Sequence, residues 1–303
     1  KSGRRKKVIL DTDTYNEIDD QYALAYCYLA DSMELLSVNA APFYNDNSTS
    51  YEDGMLKSYE EIHKVLRLLD PDYKTPVFKG SPTTIELSGS YVDSPAARNI
   101  IETVKSSDEP VYVLGIGAIT NVASALMIDP SIKDNMCVIW LGANQFGGKL
   151  GDYKQIDDYM RDNNLGEFNL VQDYTAGQIL LNSGVPLLLC PAWCIVSVLT
   201  TNTYWNDQLK GQNPVCDYLY EITERMHQLS GRGDEWVRTI WDIAAPAILD
   251  IPECAEIEVV PTPVLTDDRI YAYDSTRHKM LYLKKIDRQT VYESTWKILK
   301  NEQ

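Results

Sequence analysis

Residues 8–26 read VILDTDTYNEIDDQYALAY, and this stretch decides the architecture. KVIL at Lys7–Leu10 is an unbroken apolar run of strand length, whereas Ile18–Ala30 carries apolar residues at helical spacing. A buried strand that feeds a helix across a short loop is the opening half of a parallel-sheet unit. Four carboxylates, Asp11, Asp13, Asp19 and Asp20, fall within ten residues at that junction. Crowded like charges repel unless a cation or a basic partner sits among them, and a hard divalent ion with oxygen ligands fits best. The alternative is helix capping, because acids complement the positive end of a helix. Capping accounts for Asp19 and Asp20 and leaves Asp11 and Asp13 unexplained.

Outward from this unit the alternation continues. Strands are expected at Leu35–Val38, Pro76–Phe78, Val111–Gly117, Cys137–Gly142 and Val185–Cys190. Helices are expected at Tyr51–Leu69, Ala96–Val104, Thr120–Met127 and Gln172–Leu181. Right-handed crossovers place the helices on both faces, so the pattern predicts a doubly wound α/β fold with a mostly parallel sheet. Past Thr200 the pattern changes to helices at Asp217–Ser230 and Glu235–Leu249. Short strands follow at Glu256–Val260, Ile270–Tyr273 and Met280–Leu283, then a last helix. Without a linker, repeat or low-complexity tract, residues 1–303 read as a single domain. Polar loops at Asn45–Asp53 and Asn144–Asn164 follow strand ends, where open α/β sheets bind ligands.

Composition narrows the partners. With 44% hydrophobic residues the 303-residue chain can bury a substantial core. Lys and Arg total 28 against 44 Asp and Glu, a net charge of −16 that repels phosphate backbones and anionic lipid. Nucleic acid and membrane are therefore not expected partners, and no apolar run reaches the roughly twenty residues of a membrane span. The six cysteines lie in apolar contexts such as LLLCPAWCIV and read as buried thiols. Cys190 and Cys194 are four apart, not the three of a CxxC pair. KSGRRKK at the start reads as a solvated basic lead-in. The expected compartment is the cytoplasm, with secretion or the periplasm the alternative if a signal peptide precedes Lys1.

The strand–DxD–loop–DD–helix arrangement resembles the amino-terminal signature of the inosine-uridine-preferring nucleoside hydrolase family. The loop TYNEI between Asp13 and Asp19 is two residues longer than the usual family spacing. Further segments are similar in order and spacing: PVFKG at Pro76–Gly80, GAITNVASAL at Gly117–Leu126, GEFNLVQD at Gly166–Asp173 and WDIAAP at Trp241–Pro246. The resemblance implies a Rossmann-like fold and hydrolysis of an N-ribosidic bond with Ca2+ as cofactor. Asp13, Asp20 and Asp242 would supply carboxylates to the ion and Ile116 a backbone carbonyl. Asp19 would be the general base acting on water. Asn45, Glu167 and Asn169 would hold the ribose hydroxyls, with Asn163 or Asn164 filling the place of a further asparagine, and Asp11 would orient the site from behind. The implied partner is a small nucleoside or riboside, and the implied assembly a homodimer or homotetramer.

Two departures bear on the chemistry. Many family members carry a histidine where this chain has Trp241, whose indole can stack on a purine or pyrimidine but cannot act as an acid. Without Asp242 beside it, Trp241 would read as a core residue of an amphipathic helix. A second family histidine is also missing, since LSGSYVDSP follows the PVFKG strand. Of His63, His227 and His278, only His227 lies where a helix could bring it to the site, and Tyr44, Tyr91 and Arg238 are other nearby donors. One rival is a Ca2+-dependent ribose- or nucleoside-binding protein without turnover. Another is a haloacid-dehalogenase-type phosphatase, which shares the strand and DxD but requires more distant acids for its magnesium.

Overall fold

The strand β1 (Lys6–Thr12) is fully buried from Val8 onward, so it can only be a central strand covered on both faces. Val8 and Leu10 enter one apolar cluster and Ile9 the other, as strand alternation requires. The computed structural model describes residues 3–146, 166–192, 194–195, 200–202 and 207–302. Its further strands are β2 (Met33–Ala40), β3 (Val77–Phe78), β4 (Val111–Gly115), β5 (Met136–Leu141), β6 (Leu187–Cys190), β7 (Thr200–Asn202), β8 (Val237–Thr239), β9 (Ala255–Pro261), β10 (Val264–Leu265), β11 (Tyr271–Ala272) and β12 (Lys279–Ile286).

Among the described residues an 8-stranded sheet runs in the order β3-β2-β1-β4-β5-β6-β12-β9. Its pairs are parallel except β12 with β9. This is the doubly wound α/β fold expected from the alternation. From β1 the chain steps outward through β2 and β3, then returns to the opposite side of β1 as β4. Reversal of direction opens a crevice at the carboxyl ends of β1 and β4, the usual ligand position in such sheets. Asp11 stands there, in register with Asn39 and Gly115.

The helices form where their end signals say they should. Ser50 accepts a bond from the Asp53 amide and opens Tyr51–Leu69, and Ser94 accepts one from Ala97 ahead of Pro95–Ser106, which has proline at its first position. The helix Asp19–Leu29 has no side-chain cap. Asp19 and Asp20 occupy its first turn, where acids complement the positive helix end, but that role leaves their convergence with the distant Asp242 unexplained.

Two expected helices are broken. Gln172–Leu181 is part of a pair, Phe168–Gln172 and Tyr174–Asn182. The break falls at Asp173, whose carboxylate accepts from the amides of Ile85, Glu86 and Ala176 and from the Thr120 hydroxyl at 2.6 Å. Glu235–Leu249 is instead β8, a turn and the helix Ala244–Asp250. β-branched Val237 and Thr239 pair with β7, and the turn that follows brings Asp242 to the crevice. Trp241 consequently lies in a turn and not on a helix face. All six cysteines are free thiols; Cys27, Cys190, Cys216 and Cys254 are buried and Cys137 and Cys194 partly so. Among the described residues no helix is long and apolar enough to cross a membrane.

Candidate functional site

The carboxyl end of β1 delivers Asp11, Thr12 and Asp13, and the first turn of the next helix delivers Asp19 and Asp20. The turn after β8 adds Asp242 from the far end of the chain. Ligand oxygens of Asp19, Asp20 and Asp242 come within 4.8 Å of one another, and all three residues are buried. Thr12 Oγ1 donates to Asp20 Oδ2 at 2.6 Å. Asp13 lies just behind: Asn16 donates to its Oδ2 at 3.3 Å, and Oδ1 has no hydrogen-bond partner. Gly117 permits this approach, because a Cβ there would stand 2.9 Å from Asp13 Cγ.

Burial is the first cause of every pKa shift in the cluster. It raises Asp13 and Asp242 well above the carboxylate range, and the neighbouring acids raise both further; it raises Asp20 as well, against hydrogen bonds from Asp242, Thr12 and Asp13 that lower it. Asp19 is pushed up to about 7 by burial, with Arg238 pulling the other way. So much negative charge in a dry site, together with an orphaned carboxylate oxygen, suits a hard cation: the donors are all oxygens and the ion would offset their repulsion.

A cavity of about 180 Å³ opens onto this cluster. Asp19, Asp20 and Asp242 line it together with Ile116, Glu167, Asn169 and Trp241. Asn169 reaches the carbonyls of Leu141 at 2.7 Å and Ile116 at 3.3 Å. Glu167 caps the helix Phe168–Gln172, accepting from the amides of Asn169, Leu170 and Ala143 at 2.8–2.9 Å, and burial raises its pKa to about 7. Asp11 is set back from the cavity. Asn121 donates to its Oδ2 at 3.0 Å and to the Ala40 carbonyl at 3.1 Å, and burial raises Asp11 to about 7.

Asn45 does not line the cavity; its amide donates to Asn16, which does. Asn163 and Asn164 lie outside the described residues. His227 stacks on Trp236 with centroids 5.0 Å apart and meets the Gly233 carbonyl at 2.9 Å, away from the cavity lining. Sequence reasoning missed Asn16 and Glu17 as wall residues. The signal was present, since both belong to the longer TYNEI loop. Arg238, read only as a possible donor, is ion-paired to Glu17 and lies 3.5 Å from Asp19.

A family model of inosine-uridine preferring nucleoside hydrolases matches residues 8–293, and the chain belongs to that family. Over 114 residues it is 27% identical to the pyrimidine-specific ribonucleoside hydrolase RihB of Escherichia coli K12. That match covers 38% of this chain and 31% of the relative, so it spans about a third of the curated relative's length. Among solved structures, a plant nucleoside hydrolase superposes with a TM-score of 0.77 at 17% identity over 98% of this chain and 99% of its own. A purine-preferring ribonucleoside hydrolase from Gardnerella vaginalis gives 0.70 at 20% identity, over 98% of each chain. These similarities establish the fold.

Proposed function

We propose that the chain cleaves the N-glycosidic bond of a ribonucleoside or related N-riboside, giving free heterocycle and ribose, with Ca2+ as cofactor. The observation that carries this reading is the convergence of Asp19, Asp20 and Asp242 on one cavity with Ile116 and Asn169. Asp13, Asp20, Asp242 and the Ile116 carbonyl would hold the ion. When bound, Ca2+ would supply positive charge that orients and acidifies a water and fixes the sugar diol. Asp19 would take a proton from the attacking water as the water oxygen adds to the anomeric carbon and positive character develops on the ribosyl ring. Glu167 and Asn169 hold the ribose hydroxyls, and Asn45 acts through Asn16; Asn163 or Asn164 completes the sugar contacts. Trp241 stacks on the heterocycle, and Asp11 fixes the strand end through Asn121. Holding the reacting carbon beside the water turns binding into orientation. The same reading takes the chain as one domain working as a cytoplasmic homodimer or homotetramer.

Asp19→Ala tests the assignment. The variant retains calcium by titration calorimetry and releases no free base from ribosides that the parent cleaves. A fully active variant would falsify the base assignment. Riboside binding without base release by the parent protein would favour the binding-only alternative.

A further inference from the structure

Two groups on the cavity wall favour a positively charged heterocycle over a neutral one. Glu17 lines the cavity and keeps a 40% exposed side chain, its Oε2 accepting from Arg238, which is itself only 15% exposed. The Trp241 indole lines the same cavity, and an indole face attracts cations through its quadrupole. Asp19, Asp20, Glu167 and Asp242 share the lining, so acidic side chains outnumber the neighbouring guanidinium of Arg238.

The chemistry of departure points the same way. A neutral nucleoside base leaves as an anion unless a proton reaches it, whereas a heterocycle that is cationic while attached to ribose leaves neutral. Among the described residues lining the cavity there is no imidazole, phenol or ammonium. Both Glu167 oxygens are occupied as acceptors of backbone N–H groups.

We propose that this site selects cationic N-ribosides, of the N-ribosylpyridinium or N7-alkylpurine class, with Glu17 and Trp241 as the residues that recognise the charged ring. The inference rests on the proposed N-riboside hydrolysis. In the step, the bond between the anomeric carbon and the ring nitrogen breaks and its electron pair stays on nitrogen, cancelling the positive charge. Water adds its oxygen to carbon and its proton passes to Asp19, so no proton is needed by the leaving group. Because the ring charge fades as the bond breaks, losing the Glu17 contact weakens the bound ground state more than the transition state, so KM for the cationic substrate rises and kcat does not fall.

The experiment compares N-ribosylnicotinamide with inosine as substrates of the parent protein and of Glu17→Gln, with Ca2+ present. Loss of one charge contact raises KM for the cationic substrate about tenfold and for inosine less than about threefold. On the parent protein alone, the N-methylnicotinamide cation inhibits at a concentration about tenfold lower than neutral nicotinamide, which keeps the test independent of whether the variant folds. Equal KM shifts, or inhibition no better by the cation, overturn the inference while inosine cleavage leaves the proposed function standing. No base release from either substrate, with calcium bound, overturns the proposed function itself.

Discussion

Replacing Asp242 by asparagine separates a ligand role from a structural one, because the two roles give stability changes of opposite sign. Oxygens of Asp19, Asp20 and Asp242 lie within 4.8 Å of one another. At that separation two unit charges in an effective dielectric of about 20 repel by about 3 to 4 kcal/mol. Protonating one carboxyl instead costs about 4 kcal/mol at pH 7, so the cation-free protein carries a penalty of that size at most. Asp242→Asn removes one charge with little change in shape and stabilises the chelated protein by about 2 to 4 kcal/mol, a rise of several degrees in Tm. With Ca2+ the sign of the effect on the ion-dependent increment is reversed. An ion at a thousand times its Kd stabilises the parent by about 4 kcal/mol, whereas a hundredfold weaker site retains only about 1.4 kcal/mol at the same concentration. Thermal melts of both proteins in chelator and in Ca2+ read the two terms. A variant destabilised in chelator, with an undiminished Ca2+ increment, would refute the reasoning.

Three further outcomes follow from geometry. Gly80→Ala places a Cβ 1.9 Å from the Ala40 carbonyl and 2.6 Å from the Asn121 amide. We expect about 1 to 3 kcal/mol or more of destabilisation in melts, with a loss of base release because Asn121 also holds Asp11. Asn169→Ala leaves the Leu141 carbonyl without its 2.7 Å donor, costing about 1 to 3 kcal/mol, and raises KM for ribosides more than it lowers kcat. Asp129 is held down to about 2, chiefly by the Ser131 hydroxyl and then by Lys105. A depressed carboxyl contributes stability that is full above its unfolded value of about 4 and fades as pH falls toward 2, so Asp129→Asn flattens the dependence of Tm on pH between those limits; an unchanged slope would contradict it.

The central sheet was legible because its signal is local. KVIL, VYVLGIG and CVIWLG are buried on both sides and read as continuous apolar runs, and the helix starts at Ser50 and Ser94 carry their own caps. Asp11, Asp13, Asp19 and Asp20 were legible as a cluster because they adjoin in sequence, and Asp242 only through resemblance. The segment Glu235–Leu249 misled because its apolar spacing suits a helix. What breaks it is tertiary: Arg238 is held by Glu17 and Asp19 from the other end of the chain, and Val237–Thr239 pairs with β7. Asn45 was placed on the sugar through resemblance alone, whereas its amide donates to Asn16 of the TYNEI loop, and it is Asn16 that lines the cavity. Periodicity also carries no information about strand order, so the insertion of β12 between β6 and β9 could not be read.

That insertion has a consequence for how the chain is made. β9 precedes β12 in sequence yet lies outside it, and β6 meets its outer neighbour only through Leu281 and Tyr282 of β12. While residues 279–286 are still inside the ribosome, the emerging chain presents β6 as an open edge and β9 as a strand with nothing to join. Unpaired edges of this kind recruit other chains. Chaperone dependence during synthesis should therefore concentrate in the interval before β12 emerges, and a ribosome stalled there should yield aggregating nascent chains.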